Sequence, residues 1–385
     1  RSTLFPYTTL FRSRTGIEAP PESDRLDGWP HPRETHDVRG HAAAERIIAG
    51  AVASRRLHHA WLMTGRQGVG KATLAYRAAR FLLAQGAELP ADVSSLSLPE
   101  GDKVYRQVTS LSHPGLLIIR RSWDMSGKKF RQSIAIDDVR ALRHFLQRTA
   151  VTPWRVVIVD SADDLNPNSA NALLKSLEEP PAQTVFLLIS SSPGRLLPTI
   201  RSRCRTIRFE PLGPADLREA VLAACRGAER DAPDEAQLET LLPLASGSPR
   251  RVLQLLDGGG VALFQAILTL LESLPRLDRQ TLHKLIGLTG GRDARAHDMA
   301  FDLLEEAVAS ALHARAAGAR EAGGFPQLRR FPALITADSL ADWAELWEKI
   351  RHARSETERL NLDKAALTLT VFEMMERLSK KSAEA

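Results

Sequence analysis

The segment Gly65-Arg-Gln-Gly-Val-Gly-Lys71-Ala72 constrains the fold more than any other part of the chain. It matches G-x-x-x-x-G-K-[ST] at every position except the last. A short apolar run, His59 to Thr64, precedes it, and a strongly helical stretch, Ala72 to Leu83, follows. A glycine-rich turn between strand and helix aims successive backbone N–H groups at one point, where the helix N-terminus adds partial positive charge. Such a loop cradles phosphate: Gly65, Gly68 and Gly70 shape it and Lys71 reaches the terminal phosphates. A plain glycine turn with one exposed lysine is the blander reading, and the strand–helix context argues against it.

Two chemical requirements for hydrolysis are weakened. The hydroxyl usual at position 72 ligates Mg²⁺ directly, and Ala72 has no lone pair to offer. Thr73 lies about 100° further around the helix and points elsewhere. Nucleotide could bind through Lys71 and the backbone, with the metal poorly held. In Arg155-Val-Val-Ile-Val-Asp160-Ser161, Asp160 stands where a buried strand ends, the place at which such sheets bind ligands. It could hold Mg²⁺ through water, or simply cap a turn. The next residue, where a carboxylate would polarise the attacking water, is Ser161, and Asp163 and Asp164 are wrongly spaced to replace it.

From His36 onward apolar strands alternate with helices. Leu116–Ile119, Ile134–Ile136, Val156–Val159, Val185–Ile189 and Arg205–Phe209 read as strands. Helices are predicted over 42–57, 72–83, 138–149 and 168–177. Continuous apolar strands between helices predict a parallel sheet covered on both faces. Residues 85–112 read as a polar loop. The β signals fade after 210, and 216–225, 234–244 and 250–256 read as a small helical lid. Beyond Gly258-Gly-Gly260 everything is helical, with stripes such as Phe301, Leu304, Val308 and Leu312, and Leu360, Leu367, Val371, Met374 and Leu378. Stripes at this spacing are core far more often than ligand sites. At the other end, Phe5 to Ser13 reads as a translated sequencing adapter, which removes 1–13 from fold reasoning. Residues 14–35 read as a flexible lead-in.

Composition narrows the class. A net charge of +6 tolerates a polyanion partner without requiring one. Cys204 and Cys225 are the only cysteines among 385 residues, which excludes a disulfide scaffold, fits a reducing cytosol and excludes a four-cysteine zinc site. No apolar run is long enough for a membrane span. Arg195, Arg201, Arg203, Arg205 and Arg208 form a basic cluster without an acid between them. A solvated face, or one touching nucleic acid, is as good a reading as a functional one. Arg203, however, directly follows the last turn of the α/β unit, where an arginine can project into a neighbour's nucleotide. Cys204 reads as a small buried apolar residue rather than a reactive thiol.

Together these residues resemble the AAA+ clamp-loader ATPases over residues 36–256. The most characteristic stretches are Asn171-Ala-Leu-Leu-Lys-Ser-Leu-Glu-Glu-Pro-Pro181 and Leu197-Pro-Thr-Ile-Arg-Ser-Arg-Cys204, with its Ser-Arg-Cys element. Gly247-Ser-Pro-Arg250 resembles the sensor-2 segment, and Ser190–Ser192 occupies the sensor-1 region. Beyond 257 the match is weaker, with Asn361-Leu-Asp-Lys364 its best echo. The resemblance implies an α/β AAA+ P-loop domain with a parallel sheet over 36–210, a helical lid over 211–257 and an all-α collar over 258–385. It makes Arg250 the phosphate sensor and Arg203 a finger donated in trans.

The departures at Ala72 and Ser161 set this chain apart from the family's motor subunits. The zinc module common between the loop helix and the next strand has no cysteine here, so no zinc is expected. The resemblance then implies a non-motor, stator-like subunit of the pentameric sliding-clamp loader of bacterial DNA polymerase III, in the cytoplasm. Its partners would be gamma/tau and delta subunits, with the clamp and primed DNA reached through the complex and no membrane involved. ATP with Mg²⁺ is the cofactor its degenerate site would take. The alternatives are a gamma/tau-like motor that hydrolyses ATP despite Ala72 and Ser161, and a basic module that grips DNA by itself. Turnover lost on Lys71→Ala would favour the first, and steeply salt-dependent DNA binding the second.

Overall fold

The computed structural model describes residues 21–127, 129–147, 151–257, 259–289, 294–318, 325, 327–360 and 362–384. The adapter-like segment 1–13, Gly258 and Asn361 lie outside them. The chain divides into two compact units, residues 1–232 with 247–250, and 233–246 with 251–385.

The first unit is built on a parallel sheet. Its strands are β1 (Ala60–Thr64), β2 (Leu116–Ile119), β5 (Arg155–Asp160), β6 (Thr184–Ser190) and β7 (Arg205–Arg208), and a separate two-residue hairpin pairs β3 (Trp123–Asp124) with β4 (Lys129–Phe130). The order across the sheet is β2-β5-β6-β1-β7, with every neighbour parallel. The loop strand β1 thus lies between β6 and β7, in a sheet that is parallel throughout, as the alternating strands and helices predicted.

Strand pleating explains why both faces are covered. Trp61 and Met63 on β1, Val156 and Ile158 on β5, and Leu187 on β6 point to one face, against helices Ala42–Ala53 and Lys71–Ala84. Ala60, Leu62, Val157, Val159, Phe186 and Leu188 point to the other, against Ile136–Gln147, Pro167–Glu178 and Pro198–Arg203. All seven residues of β6 are buried, as a central strand with two covered faces requires. Asn166 caps the helix Pro167–Glu178 by accepting from the Ser169 N–H, and Pro167 begins it.

Three expectations change. Ile134–Ile136 is not a strand: Ile134 makes a single bridge to Leu165, and Ile136 already begins a helix. The Asp138 carboxylate accepts from the Ala135 N–H, which fixes that helix start. Residues 85–112 are not merely a loop. Asp102 caps a helix over Lys103–Thr109, Leu89 and Leu96 are buried, and Glu45 accepts from Arg77, Ser95 and the Leu96 N–H. Residues 21–35 are packed rather than a free lead-in, with Trp29, His31 and Arg33 buried.

The second unit is helical. Gly260–Ser273, Arg279–Thr289, Ala294–Ala316, Leu340–Leu360 and Lys364–Glu384 enclose Phe264, Ile267, Phe301, Leu304, Val308, Trp343, Ile350, Val371 and Phe372. Leu360, expected in the last stripe, is 54% exposed. Among the described residues no single helix is long and apolar enough to cross a membrane.

Phe186, fully buried in β6, anchors one face of the sheet. Phe186→Ala is expected to cost about 3–5 kcal/mol of unfolding free energy, read from urea denaturation.

Candidate nucleotide site

The loop leaves the end of β1 through three glycines whose φ angles, +148° at Gly65, +77° at Gly68 and +111° at Gly70, lie where side chains are strained. Space excludes side chains as well. A Cβ at Gly65 would strike the Phe209 carbonyl, and one at Gly68 would strike Arg250 and Ser248. Gly70 caps helix Lys71–Ala84 without a side-chain acceptor, so its first-turn N–H groups keep the anion-binding character of a helix start. The Val69 carbonyl is held by His41 Nε2 at 2.6 Å, and the His41 ring meets Phe209 edge-on at 4.7 Å.

Lys71 is only 3% exposed, and its Nζ donates to the Gly65 and Arg66 carbonyls, both at 2.6 Å, and to Ser191 Oγ at 3.0 Å. Burial pulls its pKa down to about 8, against the attraction of Asp160 and Asp163. The ammonium is therefore bonded into the loop itself, and engaging a phosphate requires it to exchange these acceptors. Ala72 packs its methyl against the core beneath the loop.

Asp160 ends β5 opposite Ile189 of β6. Burial first, and the nearby Asp24 charge second, push its pKa from 3.8 up to about 7, although Lys71, Arg250 and Arg120 oppose them. After it comes Ser161, whose hydroxyl donates to Asp163 Oδ2 at 3.0 Å. Asp163 has a role that spacing alone did not reveal. It also accepts from Ser190 Oγ at 2.6 Å, the Ser191 N–H at 2.6 Å and the Ser192 N–H at 3.2 Å. Four donors converge on one carboxylate, which ties the exit of β5 to the exit of β6. Asp163 is thereby occupied as an acceptor. Asp164 pairs with Arg121 at 3.0 Å.

Arg250 does reach the loop. Its backbone N–H lies 3.5 Å from the Gly68 carbonyl, and Ser248 Oγ donates to the Gln67 carbonyl at 2.9 Å. Arg250 Nη1 donates to the Asp24 carbonyl at 2.9 Å, and its Nε is buried without an acceptor among the described residues. Asp24 comes from the stretch expected to be flexible. Its carboxylate takes two bonds from Arg120 Nη1, at 2.8 and 3.0 Å, and lies 3.1 Å from His31 Nε2. Beside it, burial works against ionisation of Glu22, yet Arg120 and Arg33 hold its pKa down to about 2. The sequence signal for this network was present in the density of charge, but the partners Glu22, Asp24, Arg33 and Arg120 are up to 98 residues apart.

Arg203 stands apart from these groups. At the end of helix Pro198–Arg203, its Nη1 donates to the Thr199 carbonyl at 3.0 Å, and its Nη2 pairs with Glu178 Oε1 at 2.7 Å. Arg201, Arg205 and Arg208 are exposed, and Arg205 lies over the Trp61 ring at 5.1 Å. Cys204 packs beside the core, and burial pushes its thiol up to about 12, so it behaves as an apolar residue. Gly65, Gly68, Gly70, Lys71, Asp160 and Arg250 are thus gathered around one loop, with Asp24, Arg120 and Asp163 added.

Two substitutions separate the carboxylates. For Asp160 the folded pKa lies above the unfolded one, so ionisation opposes folding increasingly as pH rises from about 4 to about 7. Asp160→Asn should be more stable than the parent at pH 8, by about 1–3 kcal/mol, with the gain vanishing near pH 4 in parallel urea titrations. Asp163→Ala has the opposite sign, a loss of about 2–4 kcal/mol at pH 7, because it strands four donors.

Residues 40–213 match the family model described as DNA polymerase III, delta subunit. The delta' subunit of DNA polymerase III from Pseudomonas aeruginosa is 40% identical over 205 residues, 53% of this chain and 57% of its own length. The Escherichia coli delta' subunit is 34% identical over 60% of this chain and 63% of its own. The gamma/tau subunit of Mycobacterium tuberculosis is 30% identical over 81% of this chain and 51% of its own length. The chain thus spans between half and two thirds of the length of these relatives. Over residues 40–213 the chain is thus similar to the DNA polymerase III delta family model, and over a longer part to delta' and gamma/tau subunits of DNA polymerase III.

Proposed function

We propose that this chain is a non-hydrolysing, stator-like subunit of a sliding-clamp loader. It would sit in a hetero-pentamer with gamma/tau and delta subunits and support ATP-dependent loading of the clamp on primed DNA. The observation that carries this reading is the state of its own site. Position 72 offers a methyl group, position 161 a hydroxyl, and the nearest spare carboxylate, Asp163, is tied up by four donors. A site without a direct metal ligand or a base for water cannot stabilise phosphoryl transfer well. ATP could still rest on Lys71, Arg250 and the loop backbone as a structural ligand.

Arg203, at the half-exposed end of its helix, would act on a neighbouring subunit's ATP. A guanidinium neutralises charge developing on the transferring phosphoryl group, an effect worth on the order of 10³–10⁵ at the site served. Arg203→Ala in the reconstituted loader should lower ATP turnover at least severalfold, while gel filtration shows the assembly intact. Unchanged turnover in a verified assembly would contradict the finger.

The gamma/tau match over 81% of this chain favours a second reading, a motor subunit that hydrolyses ATP itself. The two readings part at Lys71→Ala. The stator reading expects loader turnover to change less than about twofold, whereas a motor would lose its own site's contribution.

A further inference from the structure

Glu178, the acidic partner of Arg203 among the described residues, is placed where a helix least favours an acid. Glu178 is the last residue of helix Pro167–Glu178, beside carbonyls that carry partial negative charge. Its Oε1 lies 2.7 Å from Arg203 Nη2, which supplies the compensating cation. Arg203 is in turn the last residue of its own helix, Pro198–Arg203, where a cation is favoured, and it donates a second bond to the Thr199 carbonyl within that helix. The guanidinium is thus gripped from two directions, by an acceptor on its own helix and by an acceptor on the neighbouring one.

The grip is fixed from below. Leu173 and Leu177 of the first helix, and Leu196 and Ile200 around the second, belong to one buried cluster against the sheet. The two helix ends therefore keep their spacing while both charged heads remain accessible, the side chains being 36% exposed at Arg203 and 48% at Glu178. A planar guanidinium has five donors in a fixed fork. With Nη1 committed to Thr199 and Nη2 to Glu178, the guanidinium plane keeps one orientation, and its remaining donors are held in fixed directions rather than sampling all of them. Holding a reacting group in advance lowers the entropy lost when it engages.

We propose that Glu178 is the positioning residue of the Arg203 finger: it fixes the guanidinium so that its remaining donors face the phosphate of an adjacent subunit. This rests on the reading of Arg203 as a finger in trans. The geometry asks nothing of Glu178 in binding nucleotide, so its loss should lower kcat and leave the KM for ATP in place.

The test is a double-mutant cycle in the reconstituted loader, with Arg203→Ala, Glu178→Ala and the pair, and assembly checked by gel filtration. Glu178→Ala is expected to remove at least half of the turnover that Arg203→Ala removes, with KM within twofold of the parent. It should have no further effect once Arg203 is gone. Glu178→Gln, which keeps the acceptor oxygen, should retain more turnover than Glu178→Ala. If Arg203→Ala lowers turnover and Glu178→Ala does not, or if the two losses multiply independently, the positioning role is overturned while the finger stands. A rise in turnover on Glu178→Ala overturns it as well, since the carboxylate would then withhold the finger. If Arg203→Ala itself changes nothing, the finger reading fails first.

Discussion

The Asp163 carboxylate holds the site together. Parallel strands β5 and β6 end side by side, and at their exits the ladder of backbone bonds stops. Asp163 continues it with a side chain, accepting from Ser161, Ser190 and the Ser191 and Ser192 N–H groups. Bonds to a charged acceptor are stronger than neutral ones, and here they set the position of Ser191, the residue that receives Lys71. The loop lysine is thereby anchored through a chain of contacts that begins one strand away. The same four bonds occupy the acceptor sites of Asp163, the group that ties the two strand exits together.

Around this clamp the charges are arranged in alternation. Asp160 faces Lys71, Arg250 and Arg120, and Asp24 faces Arg120 and His31. Desolvation costs in such clusters are comparable to the attraction gained, so they are poor evidence for stability but strong determinants of geometry. Residues 22–34 add acidic partners to what would otherwise be an excess of cations beside the loop. Arg250 is held by the Asp24 carbonyl and by its place beside Gly68, within the attraction of Asp160, Asp24 and Asp27.

What was legible in the sequence was local. The glycines of the loop announce their positive φ angles, and a continuous apolar run ending in Asp160 announces a buried strand exit, because each depends on neighbours a few residues away. Asp163 and Asp24 were not legible, since their partners arrive from β6 and from the end of β2. Residues 21–35 read as flexible because their charges and prolines give no periodicity, yet those charges pair with one another and with Arg120. Ile134–Ile136 misled for the opposite reason: three apolar residues fit a strand or a helix start equally well, and the Asp138 cap decided for the helix. At Cys204 the local reading held, because burial of a thiol among apolar neighbours needs no distant partner.

Under the function proposed above, this chain would complete a neighbour's phosphate site while its own would not fire. A structure of the reconstituted loader with Mg²⁺, ADP and aluminium fluoride, a mimic of the transferring phosphoryl group, tests it most directly. The Arg203 guanidinium is then expected within about 3 Å of the fluoride bound to an adjacent subunit. The proposed function is contradicted if the mimic is ordered on Lys71 and Asp160 of this chain while Arg203 touches no nucleotide.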